Sequence, residues 1–300
     1  MTLRHLEVFL AVCEHNNMTK AAKALYLSQP SVSLSISELE NEYGVKLFER
    51  LNHRLYLTEA GERLKSYAHH ILNLSDQAHK ELSGLNQAGS LRLGASLTIG
   101  TYLLPAWVVA YSGQHPEIDV FTRVDNTNVI EKLILEDRLD LGFVEGPTVS
   151  PDIIEKTIRD DDLVVISSPR HILASRKKLA TTDLSGMKFL VRESGSGTQA
   201  IVDNALLEAG IPWKVAGIYN NNESIKHAVQ ADLGLAIISR LWVEEEVRNG
   251  QIVLLRFPAL KLTRKFNCIY HRQKFFTSSM QTLVDSLLVP QGKKARIARR

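Results

Sequence analysis

Apolar positions recur at helical spacing three times in the first 45 residues. In LRHLEVFLAVCEH, Leu3, Leu6, Phe9 and Leu10 share one face. Ala21, Ala22 and Leu25 give a shorter face, which Tyr26, Leu27 and Ser28 interrupt. Val32, Ile36, Leu39 and Tyr43 form a third. Thr19 stands where a cap of the second helix belongs, and Ser28 where a cap of the third belongs. Pro30 is tolerated in the opening turn because its missing N–H has no partner there. The outer side of the third helix carries Gln29, Ser31, Ser33, Ser35 and Ser37. Two helices with a tight joint, the second apolar behind and thinly polar in front, suit a helix lying in a DNA major groove. A Ser-rich surface helix has the same pattern, so the flanking segments carry weight.

Downstream, LFERLNHRLYLTEAG reads as a wing carrying Arg50, His53 and Arg54. Thr58 then caps a long helix running to about residue 84 or 86. Its apolar residues, among them Leu64, Tyr67, Ile71, Leu74, Ala78 and Leu82, follow one narrow seam. That pattern favours pairing with a second copy over packing on its own domain. His69, His70 and His79 point around this helix rather than at one ion, so no metal site is expected. Residues 87–90 form a short hinge.

Beyond the hinge, strand and helix patterns alternate. LRLGAS, IDVFTRV and LDLGFV read as strands, with helices over 99–114 and 129–137 between them. That order implies a parallel sheet with right-handed crossovers. LVVISS, KFLVR, a helix over 198–209, KVAGIY, a helix over 225–231 and LAII give a second unit. Strand KFNCIY and a helix over 277–288 return to the first. Two α/β lobes with a cleft between them result.

Ligands of open α/β sheets sit beyond the carboxyl ends of the strands. Three segments at such places are rich in small hydrogen-bonding groups: Ala95 to Gly100, Arg192 to Thr198, and Asn220 to Ser224. Helix starts with Ser, Thr and Gly suit anions. Each alone is equally a plain cap and turn; three together in a cleft make a binding site. Glu145, after LDLGFV, faces the same cleft. It is awkward for a dianion and suited to taking a proton or hydrogen bond from the ligand.

Composition changes this picture little. An apolar fraction of 44 % and a charged fraction of 23 % are those of a soluble globular protein. Net charge is +3, but the bases and acids of residues 1–65 balance, and the surplus lies in a basic tail with Lys293, Lys294, Arg296, Arg299 and Arg300. DNA affinity is therefore expected from placed bases and from two copies acting together. Cys13 and Cys268 fall in apolar patterns and read as buried thiols, suited to a reducing cytosol. No leader opens the chain and no apolar run approaches the roughly 18 residues of a membrane span, so a cytoplasmic location is expected.

The first 60 residues resemble the LysR-type transcriptional regulators of bacteria. The matching residues are F-x-A-V at Phe9 to Val12, Ala21-Ala22, S-Q-P-S-V-S at Ser28 to Ser33, Leu39-Glu40, G-V-K-L-F-E-R and L-T-E-A-G. The likeness continues to near residue 288. Within that family, Ala95 to Gly100, Leu104-Pro105, Gly142 to Pro147, Arg192 to Thr198, Glu223 to Val229 and His271 to Lys274 look like the subgroup of sulfur assimilation and sulfite response. The resemblance implies an α+β multi-domain chain. Residues 1–58 would be a winged helix-turn-helix and 59–89 a linker and dimerisation helix. Residues 90–290 would be a two-lobed effector domain resembling periplasmic binding proteins, with lobe I about 90–160 and 266–290, lobe II about 161–265, and 291–300 the basic tail.

The expected DNA contacts are Thr19, Ser28, Gln29, Pro30, Ser31, Ser33, Ser37, Arg50, His53 and Arg54. The expected effector contacts are Ser96, Thr98, Glu145, Arg192, Ser194, Ser196, Gly197, Thr198 and Asn222. The resemblance further implies no cofactor, a small anionic effector such as sulfite, promoter DNA as partner, a homodimer or homotetramer, and contact with RNA polymerase. A small carboxylate or other metabolite is the alternative effector. Leu34, Ser35 and Ser37 depart from the Arg or Gln of many members, so an operator sequence does not carry over. Catalysis is not expected: Gly195-Ser196-Gly197 lacks a G-x-S-x-G elbow, and the common nucleotide and zinc motifs are absent. A transport binding protein would not explain residues 1–60.

If Gln29 reads a base edge, Gln29→Ala costs roughly 1–3 kcal/mol at one operator position. Arg50→Ala, removing a phosphate contact, instead weakens all sequences alike and flattens the salt dependence. Binding isotherms on operator variants separate the two.

Overall fold

The computed structural model describes residues 1–51, 54–82 and 89–288. Two units are distinguished, one of them residues 1–89 with Leu135–Arg138 and Gln273–Phe275.

In this helical unit, α1 (Leu3–His15), α2 (Met18–Ala24) and α3 (Gln29–Tyr43) bury Leu6, Phe9, Val12, Ala21, Ala22, Val32, Ile36 and Leu39 together. The cap of α2 is Asn17, whose side chain accepts from the Lys20 N–H at 2.9 Å. Thr19 is instead the second residue of that helix and is exposed. The reason is the left-handed Asn16, φ 48°, which ends α1 early and leaves Asn17 extended at the capping place. Ser28 caps α3 as expected, accepting from the Ser31 N–H at 3.2 Å. Tyr43 is 44 % exposed rather than buried: it is the last residue of α3, and its hydroxyl donates to Met1 Sδ.

Strands β1 (Phe48–Leu51) and β2 (Arg54–Leu57) pair antiparallel as the wing. Glu40 ties it to α3, accepting from the Leu47 N–H at 3.0 Å while pairing with Lys46. Helix α4 (Glu59–Leu82) opens at Thr58, whose hydroxyl accepts from the Gly61 N–H. Its apolar seam is divided. Ala68 is buried, and Leu64 and Ile71 pack on the helical unit's own core, because α4 lies against α1. Tyr67, Leu74 and Ala78 remain exposed. The side chains of Arg54 and Leu82, residue His53, hinge residues 87 and 88 and the 291–300 tail lie outside the described residues.

Leu135–Arg138 and Gln273–Phe275 meet α4 through polar groups. Asn73 donates to the Asp137 carbonyl and carboxylate, both at 2.7 Å, Lys274 pairs with Asp137 at 2.6 Å, and Lys65 pairs with Glu136 at 2.8 Å. Burial alone would raise the Asp137 carboxyl. Hydrogen bonds from His70, Lys274 and Asn73, with the Lys274 charge, outweigh it and hold the group at about 2.

The second unit comprises residues 90–134, 139–272 and 276–300. Lobe I holds β3 (Ser90–Ala95), α5 (Leu97–Tyr102), α6 (Leu104–Gln114), β4 (Asp119–Val124), α7 (Thr127–Leu135) and β5 (Leu141–Glu145). Both β4 and β5 pair with β3 in parallel, as the alternation predicts. The single helix expected over 99–114 is two, broken at Leu103, one residue before the turn that contains Pro105.

Strand β6 (Ile153–Ser167) is longer than its sequence pattern suggests: LVVISS is only its second half. It continues from lobe I into lobe II, which holds β7 (Lys188–Arg192), α8 (Gly197–Glu208), β8 (Lys214–Tyr219), α9 (Asn222–Gln230), β9 (Ala236–Ser239), α10 (Glu244–Arg248) and β10 (Val253–Leu255). Strand β11 (Thr263–His271) runs back antiparallel to β6 and then pairs with β5, and α11 (Ser278–Leu287) closes lobe I. Phe143, Phe266, Leu283 and their neighbours fill lobe I; Phe189, Leu206 and Leu235 fill lobe II. Cys13 and Cys268 are buried, and burial pushes both thiols up to about 12, which keeps them unreactive.

The depressed Asp137 value has a definite sign. Its ionised form favours the folded state above the ordinary value of 3.8, and that contribution fades as pH falls through about 2. Asp137→Asn should therefore cost on the order of 2 kcal/mol at pH 7. It should also flatten the acid limb of the unfolding curve, measured by circular dichroism in denaturant from pH 7 to pH 2.

Candidate functional site

On the helical unit, the capped start of α3 presents Ser28, Gln29, Pro30 and Ser31 to solvent, with Ser37 exposed further along. Ser33 is half-buried, and the Ser28 and Ser31 hydroxyls share a hydrogen bond of 2.8 Å. Arg50 on β1 and Thr19 on α2 are exposed as well. Val32, Ile36 and Leu39 anchor the opposite side of α3, so its polar face is held outward by the core behind it.

The second candidate site grows from the strand ends of lobe I. Because β3 and β5 are parallel neighbours, with Ala95 beside Phe143, Ser96 and Glu145 emerge together. The Ser96 hydroxyl donates to Glu145 Oε2 at 2.5 Å, and the Thr98 N–H donates to Oε1 at 3.2 Å. The Ser96 hydroxyl thus serves Glu145 and does not cap α5. Thr127, opening α7, donates to the Glu145 carbonyl at 3.1 Å. Ser96, Thr98 and Glu145 are all buried.

Lobe II meets these groups through the start of α8. Ser196 caps it, accepting from the Gln199 N–H at 3.4 Å. Gly197 packs so closely that a Cβ built on it would lie 1.8 Å from the Glu145 carbonyl oxygen. Gly195, φ 88°, offers its carbonyl to the Asn128 N–H at 3.3 Å, a second direct bridge between the lobes.

At the centre is Arg264, whose side chain has no exposed surface. It stands opposite Asp161 in the antiparallel ladder of β6 and β11. Its Nε donates to Asp161 Oδ2 at 2.7 Å, Nη1 to Thr198 Oγ1 at 2.6 Å and Nη2 to Thr98 Oγ1 at 3.1 Å. Glu145 Oε1 lies 3.6 Å from Nη1. The Asp161 carboxylate also accepts from the Ser239 hydroxyl at 2.8 Å. Trp242 of lobe II donates its indole N–H to Thr98 Oγ1 at 3.2 Å and sets its ring edge-on to Tyr102. One arginine therefore gathers Thr98 and Glu145 of lobe I with Thr198 of lobe II.

Not every expected residue joins this group. Arg192 is buried, yet its guanidinium is gripped by both oxygens of Glu193, at 2.8 and 2.9 Å, and reaches Asn222 at 3.4 Å. Ser194 is exposed in the turn before α8. The cap of α9 is Asn221, with Asn222 the first buried residue of the helix. Lys226, next along the same face, pairs with Glu223 and Glu246; burial alone would lower its ammonium, but those two carboxylates raise it. Arg264, Asp161 and Trp242 are site residues that the sequence pattern does not single out. The available signals are alternation in β11, which puts Arg264 on the face of Phe266 with exposed Lys265 between them, and the buried middle position of Asp160-Asp161-Asp162. The arrangement offers hydroxyl and amide donors, one fixed cation and two carboxylates.

Comparison with known proteins gives a consistent result. Residues 3–62 match the family described as bacterial regulatory helix-turn-helix protein, lysR family, and residues 86–289 match LysR substrate binding domain. The HTH-type transcriptional regulator YeiE of Escherichia coli (strain K12) is 35% identical over 285 residues, covering 95% of this chain and 96% of that protein. A full-length OxyR variant from Pseudomonas aeruginosa superposes with a TM-score of 0.72 at 23% identity, over 96% of this chain and 95% of that one. The Synechocystis PCC6803 CcmR regulatory domain in complex with 2-PG has a TM-score of 0.62 at 26% identity, over 67% of this chain and 96% of that one.

The tight seat of Gly197 makes it intolerant. In Gly197→Ala the new methyl meets backbone at the Glu145 carbonyl and, at 2.7 Å, the Thr127 hydroxyl, so the lobes must separate. A loss of about 1–3 kcal/mol is expected in thermal unfolding. Gly113→Ala on α6, where nothing lies within 4 Å of the added atom, serves as the control without a clash, expected to be neutral or slightly stabilising.

Proposed function

Since the chain belongs to the LysR family, as a DNA-binding transcriptional regulator with an effector-binding domain and not an enzyme, we propose that a small oxyanion in the inter-lobe cleft tunes its grip on promoter DNA. A sulfur oxyanion such as sulfite is the preferred effector. The observation that carries this reading is the meeting of Thr98 and Thr198, one from each lobe, on Arg264. Hydroxyls beside a buried guanidinium at helix starts recognise oxygen acceptors. The subgroup motifs at Ala95 to Gly100 and Arg192 to Thr198 favour sulfur chemistry.

A ligand touching both lobes shifts their relative angle only by its difference in affinity for the two arrangements. Two copies, paired through the exposed Tyr67, Leu74 and Ala78 of α4, would then set the spacing of two α3 helices on an inverted repeat. Assembly to a tetramer, contact with RNA polymerase and a cytoplasmic location complete the proposal. Among the described residues, no helix is long and apolar enough to cross a membrane.

A second reading, a phosphorylated or carboxylated metabolite as effector, draws on the CcmR regulatory domain in complex with 2-PG. A thermal-shift screen of sulfite, sulfate, thiosulfate, phosphate and small carboxylates on the full-length protein distinguishes the two, since a ligand of the folded state raises its melting temperature. Thr98→Val and Thr198→Val should each weaken the best ligand about tenfold, the scale of one lost hydrogen bond, and leave DNA affinity without effector unchanged. An unaltered ligand isotherm in both variants would refute the site.

A further inference from the structure

Hydrogen-bond accounting at Arg264 narrows the ligand class further. A hydroxyl has one proton to donate and two lone pairs to accept with. Thr98 Oγ1 already accepts from Arg264 Nη2 at 3.1 Å and from Trp242 Nε1 at 3.2 Å. Its own proton therefore has to serve an acceptor outside that pair. Thr198 Oγ1 accepts from Arg264 Nη1 at 2.6 Å, which likewise turns its proton away from the guanidinium. Arginine, which has N–H donors and no acceptor, thus polarises one hydroxyl on each lobe in the same sense.

Charge sets the opposing condition. Arg264, Glu145 and Asp161 are all buried, so one guanidinium faces two acidic side chains, a formal count of one negative charge. Arg192 does not redress this, being matched by Glu193. Glu145 moreover holds the Ser96 hydroxyl and the Thr98 N–H, the donors at the start of α5. An oxyanion without a proton would bring further negative charge against Glu145 in a buried place.

We infer that Arg264 is the specificity-determining residue of the cleft: it presents the Thr98 and Thr198 hydroxyls as donors from the two lobes, while Glu145 requires a donor in return. The cleft accordingly takes a small oxyacid that still carries one proton and rejects a fully deprotonated dianion. This inference rests on the oxyanion reading above and adds the protonation state and the residue that enforces it.

The test is titration calorimetry on the full-length protein at one fixed pH, with sulfite, bicarbonate and inorganic phosphate as proton-carrying probes and sulfate as the proton-free one. The wild type should bind a proton-carrying probe about 100-fold more tightly than sulfate, the scale of one uncompensated like-charge contact. Glu145→Gln, which removes the charge and supplies a donor, should bring sulfate to within about tenfold of that probe. Arg264→Lys keeps the charge but loses the planar fork, and should weaken the favoured probe about 100-fold. Should circular dichroism show Arg264→Lys to be unfolded, Thr198→Val takes its place, with an expected loss of about tenfold. Sulfate binding the wild type as tightly as the other probes, or a preference that Glu145→Gln leaves intact, would overturn the inference. Sulfite failing while bicarbonate or phosphate follows the expected pattern sinks the sulfite assignment alone. No heat from any probe overturns both.

Discussion

A guanidinium that cannot lose its proton and has no exposed surface must find all its partners inside the protein. Arg264 is such a group, and much of the two-lobed unit follows from satisfying it. Its partner Asp161 sits across the ladder, which ties the pairing of β6 with β11 to a charge contact as well as to backbone hydrogen bonds. Its two terminal nitrogens call for oxygen from α5 on one side and α8 on the other. Bringing α8 that close leaves no room for a side chain at position 197, hence glycine. Substituting any one of these partners strands buried polarity, so the set behaves as a unit.

The helical unit depends on a different economy. Its core is small, and its helices are held by local devices: Thr2, Asn17, Ser28 and Thr58 each take a free N–H at a helix start. What projects from it is consequently fixed by what lies beneath. Val32, Ile36 and Leu39 seat α3 on Phe9 and its neighbours, leaving Gln29 and Ser31 outward. Helix α4 has divided loyalties, with Leu64 and Ile71 given to the core of its own unit and Tyr67 and Leu74 left over.

Local signals are legible in the residues and distant ones are not. Helix faces, the Ser28 and Thr58 caps, the wing and the three loop segments at strand ends all depend on neighbours within a few positions. Their elements lie where the pattern puts them, within a residue or two, although the outermost face residues Leu3 and Tyr43 are exposed at the helix ends. The α2 cap falls at Asn17 and not Thr19 although both are good capping residues, because only the left-handed turn at Asn16 decides between them. The division of the α4 seam depends on which core lies beside it, and no local pattern states that. Arg264 is hidden for a plainer reason: Asp161 and Thr98 lie 103 and 166 residues away in the chain, so nothing near it announces a binding role. Arg192, sitting in a glycine-rich motif, has the stronger local signal, yet Glu193 beside it already neutralises its charge.

The lobes are joined by β6 and β11 lying side by side, each an unbroken strand through the junction. Mechanically this is a ribbon and not a pair of strings. Such a ladder carries the right-handed twist that strands favour. Any change in the angle between the lobes has to pass through this two-stranded ladder. The register shift between Phe266 and Asn267 lies two residues from Arg264, so the ladder is locally interrupted beside the buried guanidinium.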